Sequence, residues 1–230
     1  MKKLLLLSSV LLFGAMNAQT TFGLKAGYAN SKLSGEGSED MDLEGVALSN
    51  KTKSGFFVGA FVEHKFNDKV ALQGEIQYAN LGGQMEGKVD VTEEGQNVKF
   101  TLVDKLNFNQ IVVPVSVKYF ATPQFAVYAG PSVSFNAGYK SDIKIKNANF
   151  PTQSVSEEIN YLEANQDETM KEYLKSTSFN IFFGAEYQFY KSFSVDARYS
   201  VGLTNYEKEE TEGSSTKMNY FQIGLGYRFK

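Results

Sequence analysis

From residue 21 onward, the sequence alternates between apolar and polar or small residues in eight segments. The third segment shows the pattern most clearly: Val70, Leu72, Ile76 and Tyr78 are separated by polar or small residues such as Glu75. Successive side chains of a β-strand point to opposite faces, so a period of two predicts a strand with one apolar face. The eight segments cover residues 22–29, 56–66, 70–78, 110–119, 125–136, 179–189, 193–201 and 220–229.

The connections between these segments alternate in length. Tight turns are predicted at residues 67–69, 121–124 and 190–192, whereas residues 34–53, 79–105, 140–176 and 204–217 form long connections that are all net acidic. An even strand number with this alternation is typical of outer-membrane barrels. The sequence therefore predicts an all-β fold, an eight-stranded antiparallel up-and-down transmembrane β-barrel with short periplasmic turns and long extracellular loops.

One of the long connections carries a helical pattern. Apolar residues recur at roughly helical spacing between residues 154 and 175, at Ile159, Leu162, Met170, Tyr173 and Leu174. This spacing predicts a short surface helix.

The first eighteen residues have the features of a secretory signal peptide. Lys2 and Lys3 precede an apolar run over residues 4–13, and small residues end the segment at Ala18. The run is too short to cross a membrane as a helix, so we predict cleavage after Ala18. The predicted domains are a signal peptide at residues 1–18 and an outer-membrane barrel at residues 19–230. The barrel region has no apolar stretch long enough for a spanning helix, and any membrane residence must use strands.

The period alone does not tell whether the apolar faces point toward lipid or into a core. Aromatic residues recur near the strand ends, as membrane-interface girdles require, and a tilted strand of about nine to eleven residues crosses the hydrocarbon layer. The opposite faces carry charged residues: Glu63, Lys65, Glu75, Lys118, Glu186, Asp196, Arg198 and Arg228. In a soluble fold they would face water, whereas in a narrow barrel they would be enclosed. We predict the second case, a paired interior network, because an unpaired buried charge is costly.

Composition excludes several kinds of chemistry. The chain has no cysteine, which excludes disulfides and thiolate sites, and a net charge of −3 gives no basic field for nucleic acid. The single histidine, His64, has no partners at a recognisable catalytic or metal-binding spacing, and we interpret it as an interfacial aromatic. We therefore expect neither an enzyme nor a cofactor, and outer-membrane lipid rather than nucleic acid as the surroundings.

Two neighbouring strand segments carry a family resemblance. The run FNQIVVPVSVKYF at residues 108–120, followed by VYAGP at residues 127–131, resembles the PorT-like outer-membrane β-barrel family of Bacteroidetes. The run ARYSVGLT at residues 197–204 and the aromatic final strand are similar to it as well. The resemblance implies insertion by the barrel-assembly machinery, with the final strand as recognition signal. Its motif prolines, Pro114 and Pro131, each remove a ladder donor at similar heights on one hairpin, and we predict a shared bulge or kink there.

Three functions are compatible with these features. The first is a structural or interaction protein of the outer membrane that displays acidic extracellular loops, whose partner the sequence does not identify. The second is a small-solute porin, which the narrow bore of eight strands disfavours. The third is a soluble periplasmic barrel that binds a lipophilic ligand.

Overall fold

The computed structural model describes residues 19–36, 41–43, 45–93, 96–150, 172–208 and 215–229, together with residues 159, 161, 163, 165 and 170. The predicted signal peptide and its cleavage point lie outside these residues. The described part of the chain forms ten strands: β1 Thr20–Glu36, β2 Met41–Leu43, β3 Val46–Lys51, β4 Lys53–Lys65, β5 Val70–Glu93, β6 Gln96–Phe120, β7 Phe125–Lys146, β8 Thr177–Tyr190, β9 Phe193–Gly202 and β10 Ser215–Arg228.

Eight of these strands pair in a circuit. The antiparallel order is β1, β4, β5, β6, β7, β8, β9 and β10, and β10 pairs with β1 again. Each long strand thus has a partner on both sides, and the predicted all-β, antiparallel up-and-down sheet is confirmed. Among the described residues, no helix is long and apolar enough to cross a membrane.

Side chains in the tight turns satisfy backbone donors. The Asn67 side-chain oxygen accepts hydrogen bonds from the amides of Lys69 (2.8 Å) and Val70 (2.9 Å). The hydroxyl of Thr122 accepts from the amides of Gln124 (3.3 Å) and Phe125 (3.0 Å). Asn, Asp, Ser and Thr favour turns because their short side chains cap the backbone in this way. These local bonds hold β4 to β5 and β6 to β7 at one end of the sheet.

The opposite end differs from the sequence prediction. Residues 79–105, predicted as a long loop, instead continue β5 to Glu93 and begin β6 at Gln96, and the two strands stay paired to their ends. Residues 34–53 likewise contain β2 and β3, and β7 extends to Lys146. The physical reason is visible in the sequence, where Val89, Val91 and Phe100 continue the alternation and favour extended backbone.

The connection between β7 and β8 contains helical residues, as its pattern predicts. Ile159, Tyr161, Glu163, Asn165, Met170, Glu172 and Tyr173 are helical, whereas Leu162 lies outside the described residues. Met170 and Leu174 pack against a buried apolar cluster inside the sheet. The Glu163 carboxylate also accepts a hydrogen bond of 2.6 Å from the amide of Ile143 on β7. The helical residues are therefore tied to the upper part of β7.

The predicted bulge at the prolines is wrong. The register of β6 with β7 is the same on both sides of them, with Pro114 opposite Ser132 and Val117 opposite Ala129. Each proline lacks an N–H and removes a hydrogen bond, but neither strand gains the extra residue that defines a bulge. The register of β6 with β7 does shift, but farther from the tight turns, between Asn109 and Gln110.

The two faces of the sheet have the opposite polarity to those of a water-soluble protein, with apolar side chains outside and charged side chains inside. Large apolar side chains lie exposed on the outward face, for example Leu24, Ile76 and Phe183 at 50%, 56% and 58%. Buried polar and charged side chains, including Lys25, Glu63 and Gln110, lie on the inward face. Charged residues are almost never buried in water-soluble proteins unless they are paired. This distribution therefore requires an apolar environment outside and pairing inside.

Candidate functional site

Eight charged side chains meet inside the ring, in the half that carries the tight turns. They come from seven strands and are Lys25 (β1), Glu63 (β4), Glu75 (β5), Lys118 (β6), Glu186 (β8), Asp196 and Arg198 (β9) and Arg228 (β10), all of them buried or nearly so. We call this set the charge cluster. It contains four cations and four carboxylates, so its formal charge is zero.

Glu186 lies at the centre of one half of the charge cluster. Its Oε1 accepts a hydrogen bond of 3.0 Å from Nζ of Lys118 and a second one from Nη2 of Arg228. Its Oε2 lies 3.3 Å from Nζ of Lys25. Lys118 and Arg228 also reach Oε2 of Glu63, at 2.6 Å and 3.4 Å. Glu63 and Glu186 therefore share two cations, and Glu186 also contacts a third.

The other half is built around Glu75 and Asp196. Nη2 of Arg198 lies 2.7 Å from Oε1 of Glu75 and 3.8 Å from Oδ1 of Asp196. Nζ of Lys25 lies 3.6 Å from Glu75 and 3.4 Å from Asp196, and the Tyr128 hydroxyl donates to Asp196. Because Lys25 also contacts the first half, all eight charges form one connected network.

Amide side chains add hydrogen bonds to this network. Gln73 and Gln77, which flank Glu75 on β5, donate to its two carboxylate oxygens at 2.6 Å and 2.5 Å. The Gln73 oxygen in turn accepts a 3.0 Å bond from Lys118. Buried ion pairs are stable only when their remaining polar atoms are also satisfied. The amides supply part of that satisfaction and link the two halves.

A second, mainly apolar layer fills the ring above the charge cluster, on the side of the long strand extensions. Its buried members include Phe57, Leu81, Phe108, Tyr206 and Met218, against which Leu33, Leu106, Tyr139, Met170 and Leu174 pack. We call it the apolar plug. The hydroxyl of Tyr206 accepts a 2.9 Å hydrogen bond from Gln110 and shares one of 3.0 Å with Ser178. Burial raises the pKa of Tyr206 to about 12. Two different layers thus occupy the interior.

The structure brings together seven of the eight charged residues that the sequence placed on the opposite faces: Glu63, Glu75, Lys118, Glu186, Asp196, Arg198 and Arg228. Lys25 also belongs to the charge cluster but was not predicted, although its position on the same face of β1 as the small residues was a sufficient signal. Lys65 lies outside the cluster, with Nζ 4.2 Å from the ring centre of Phe120.

The remaining sequence-selected residues lie at the strand ends and on the hairpin. Pro114 faces inward and is buried, whereas Pro131 faces outward. His64 shares a 2.9 Å hydrogen bond with Thr20 and contacts the edge of the Phe66 ring. In the part of the chain that the structure describes, no group of three or more acidic, histidine or cysteine side chains is arranged to hold a metal ion.

A ring of strands with an apolar outside and a neutralised, charged inside defines the class of β-barrel proteins that reside in membranes. The sequence comparison agrees with this class, since the profile described as "Outer membrane protein beta-barrel domain" matches residues 17–208. The chain belongs to this family and is a protein of the bacterial outer membrane. No curated protein matches the sequence.

Several solved structures align with this chain at low sequence identity and low TM-score. Ail, the attachment invasion locus protein of Yersinia pestis, is 14% identical over 92% of this chain and 99% of its own, with a TM-score of 0.42. Neisserial surface protein A is 13% identical over 90% and 97%, with a TM-score of 0.45. The outer membrane protein OprG of Pseudomonas aeruginosa is 13% identical over 91% and 95%, with a TM-score of 0.38.

Proposed function

We propose that the chain is an eight-stranded transmembrane barrel that conducts no solute, has no catalytic role, and acts as a structural or interaction protein at the cell surface. The observation that carries this proposal is the filled interior. The charge cluster occupies the bore at the end with the tight turns, and the apolar plug occupies it at the other end. A bore of eight strands is only wide enough for side chains, whereas water-filled channels belong to barrels of about sixteen strands.

The proposed orientation places the tight turns in the periplasm and the extended ends of β5, β6 and β7 outside the cell. Outer-membrane barrels have short periplasmic turns and longer extracellular segments. The acidic connections would then face the exterior, although Glu209, Glu210 and Glu212 of the last one lie outside the described residues. A surface partner of the acidic connections is the proposed interaction role.

We also propose a narrower placement within the family, among the PorT-like barrels of Bacteroidetes. The support is the pair of proline-containing strands at residues 108–120 and 127–131 and the aromatic final strand. Biogenesis would then use the barrel-assembly machinery, with outer-membrane lipid around the finished barrel. Replacing Tyr227 and Phe229 together by alanine should reduce assembly in cells while leaving refolding in detergent possible, and equal assembly of the variant and the wild type would contradict this role of the last strand.

Single-channel recording in planar bilayers tests the absence of conduction. We expect no stable openings from the purified, folded protein, and a known open porin measured in the same bilayers serves as the positive control. Reproducible openings of constant size would refute the proposal and favour the small-solute porin. Recovery of the protein in the soluble fraction without detergent would instead favour the soluble barrel.

A further inference from the structure

Outside the interior, a polar cavity lies on the outward face of the sheet. It has a volume of about 470 Å³ and is lined by Asn80 of β5, Asn107 and Asn109 of β6, Lys140, Ser141 and Asp142 of β7, and Glu163 of the helical segment. We call it the amide pocket. The amide pocket is separate from the charge cluster and the apolar plug, because its amide side chains lie on the face of the sheet that points away from both.

The amide pocket lies directly above the exposed apolar belt. On β5, Tyr78 faces outward two residues below Asn80, and on β6, Ile111 faces outward two residues below Asn109. On β7, Phe135 is 47% exposed and is followed by the offset in register that turns Lys140 outward. Three neighbouring strands thus change from apolar to polar at the same level. In the proposed orientation, this level is the boundary between the outer leaflet's acyl chains and its head groups.

Hydrogen bonds hold the upper edge of the belt in place. The Tyr78 hydroxyl and the amide nitrogen of Asn80 both donate to the side-chain oxygen of Asn109, at 2.9 Å and 2.8 Å. Nζ of Lys53 donates to the oxygen of Asn80 at 2.6 Å, and Asn107 donates to the backbone oxygens of Lys105 and Lys140, each at 3.2 Å. The wall of the pocket is therefore ordered before any ligand arrives, which reduces the entropic cost of binding.

The pocket is lined by amides, one hydroxyl, one cation and two carboxylates, and it matches a hydroxyl-rich ligand whose single anionic group lies at Lys140. Asparagine side chains donate and accept hydrogen bonds, and carboxylates such as Asp142 and Glu163 accept from sugar hydroxyls. The Lys140 ammonium can pair with a phosphate. A phosphatidylethanolamine head group would use the cation and one carboxylate, but it has no hydroxyls for the amides of the pocket.

We propose that the amide pocket binds the phosphorylated sugar head group of an outer-leaflet glycolipid. The inference rests on the proposed orientation of the barrel and goes beyond it by assigning a ligand class to one patch of its outward surface. The acyl chains of such a lipid would lie below the pocket against Tyr78, Ile111 and Phe135, so the sugar and the chains bind adjoining surfaces of the same strands.

The test uses the purified full-length protein in detergent micelles, titrated with lipopolysaccharide, with its deacylated saccharide and with phosphatidylethanolamine. The variants are Asn107→Ala and Lys140→Gln, which change the wall of the pocket. The matched control is Asn30→Ala. Asn30 lies on β1 at the upper edge of the apolar belt and donates a 3.1 Å hydrogen bond to the Tyr28 hydroxyl, but it does not line the pocket. A heat-shift gel shows first that every variant is folded.

We expect lipopolysaccharide to bind the wild type and the Asn30→Ala protein with equal affinity and to bind each pocket variant about tenfold more weakly, since each loses one hydrogen bond or ion pair to a polar ligand. Deacylated saccharide should bind more weakly than the intact glycolipid. Equal affinity of all four proteins overturns the proposal. If the wild type binds the deacylated saccharide as tightly as intact lipopolysaccharide, the acyl chains do not contribute to binding. If it binds phosphatidylethanolamine as tightly as lipopolysaccharide, the sugar does not contribute. If one pocket variant does not fold, the affinity of the other pocket variant decides the test.

A failure of this binding test is distinguishable from a failure of the proposed function. If the wild type is folded, membrane-resident and non-conducting, but Asn107→Ala and Asn30→Ala bind lipopolysaccharide equally well, only the amide pocket is refuted. A protein that opens channels would refute the non-conducting role whatever the glycolipid titration shows.

Discussion

Glu186 offers the sharpest test of the charge cluster. The substitution Glu186→Gln keeps the size of the side chain but removes the carboxylate that faces Lys25, Lys118 and Arg228. The cluster would then hold four cations and three carboxylates. Removing one partner of a buried ion pair costs about 3 to 5 kcal/mol, because the opposite charge stays buried without compensation. The lower end of that range applies here, since Lys25 and Lys118 keep Asp196 and Glu63 as partners.

We therefore expect the free energy of unfolding to fall by about 3 kcal/mol, which corresponds to roughly a hundredfold change in the folding equilibrium. The chain has no tryptophan, so urea denaturation in detergent micelles is followed by far-UV circular dichroism and by the heat-shift gel. The double variant Glu186→Gln with Lys118→Met restores equal numbers of cations and carboxylates. It should regain a large part of the stability that the single variant loses.

The control is Asp90→Asn on the extended part of β5. Asp90 and Lys99 form a 2.7 Å ion pair, but their side chains are 52% and 60% exposed, and exposed pairs add little to stability. We expect no measurable change. If Glu186→Gln and Asp90→Asn unfold at the same urea concentration as the wild type, the charge cluster does not hold the barrel together. If the double variant is less stable than Glu186→Gln, charge balance is not the reason for the loss.

Three further predictions address other parts of the molecule. Tyr206→Phe should lower stability by about 1 to 2 kcal/mol at pH 7 through lost hydrogen bonds. Because burial raises the pKa of Tyr206 to about 12, the wild type should lose more stability than the variant between about pH 10 and 12, so the difference between them should narrow. A constant difference in urea titrations across that range would contradict the burial argument. Gly130→Ala places a Cβ 1.9 Å from the carbonyl oxygen of Val115, so it should destabilise by about 1 to 3 kcal/mol or more, whereas Gly138→Ala on the same strand meets nothing within 4 Å and should be neutral in the same denaturation assay. Ile76→Arg puts a charge on the lipid-facing surface at a cost of about 2 to 4 kcal/mol near the bilayer centre, so it should reduce the recovery of folded protein from vesicles. Tyr161→Arg, at a position that is 70% exposed and outside the strands, should not reduce it. Equal recovery of the two variants would mean that this face does not contact lipid.

The eight segments of alternating sequence became the membrane-level parts of β1 and β4 to β10, and the tight turns at Asn67 and Thr122 formed at the predicted positions. These features depend on neighbours in the chain, so local sequence contains the necessary information. The upper ends of the strands were predicted less well. Charged residues such as Glu86 and Lys88 alternate there with Val89 and Val91, and a loop and a solvated strand have similar compositions. Pairing with a partner strand decided between them.

The sequence by itself determined which side chains share a face, because the period of two is a property of extended backbone. The tertiary structure alone decided which cation meets which carboxylate. Lys25 and Asp196 are 171 residues apart, and Arg198 and Glu75 are 123 apart, so no local pattern links them. Their side chains meet only after β10 pairs with β1 and inward faces from opposite sides of the ring converge. Ion pairing in this protein is therefore a consequence of closing the circuit of strands, whereas the division of side chains between two faces is already set along each strand.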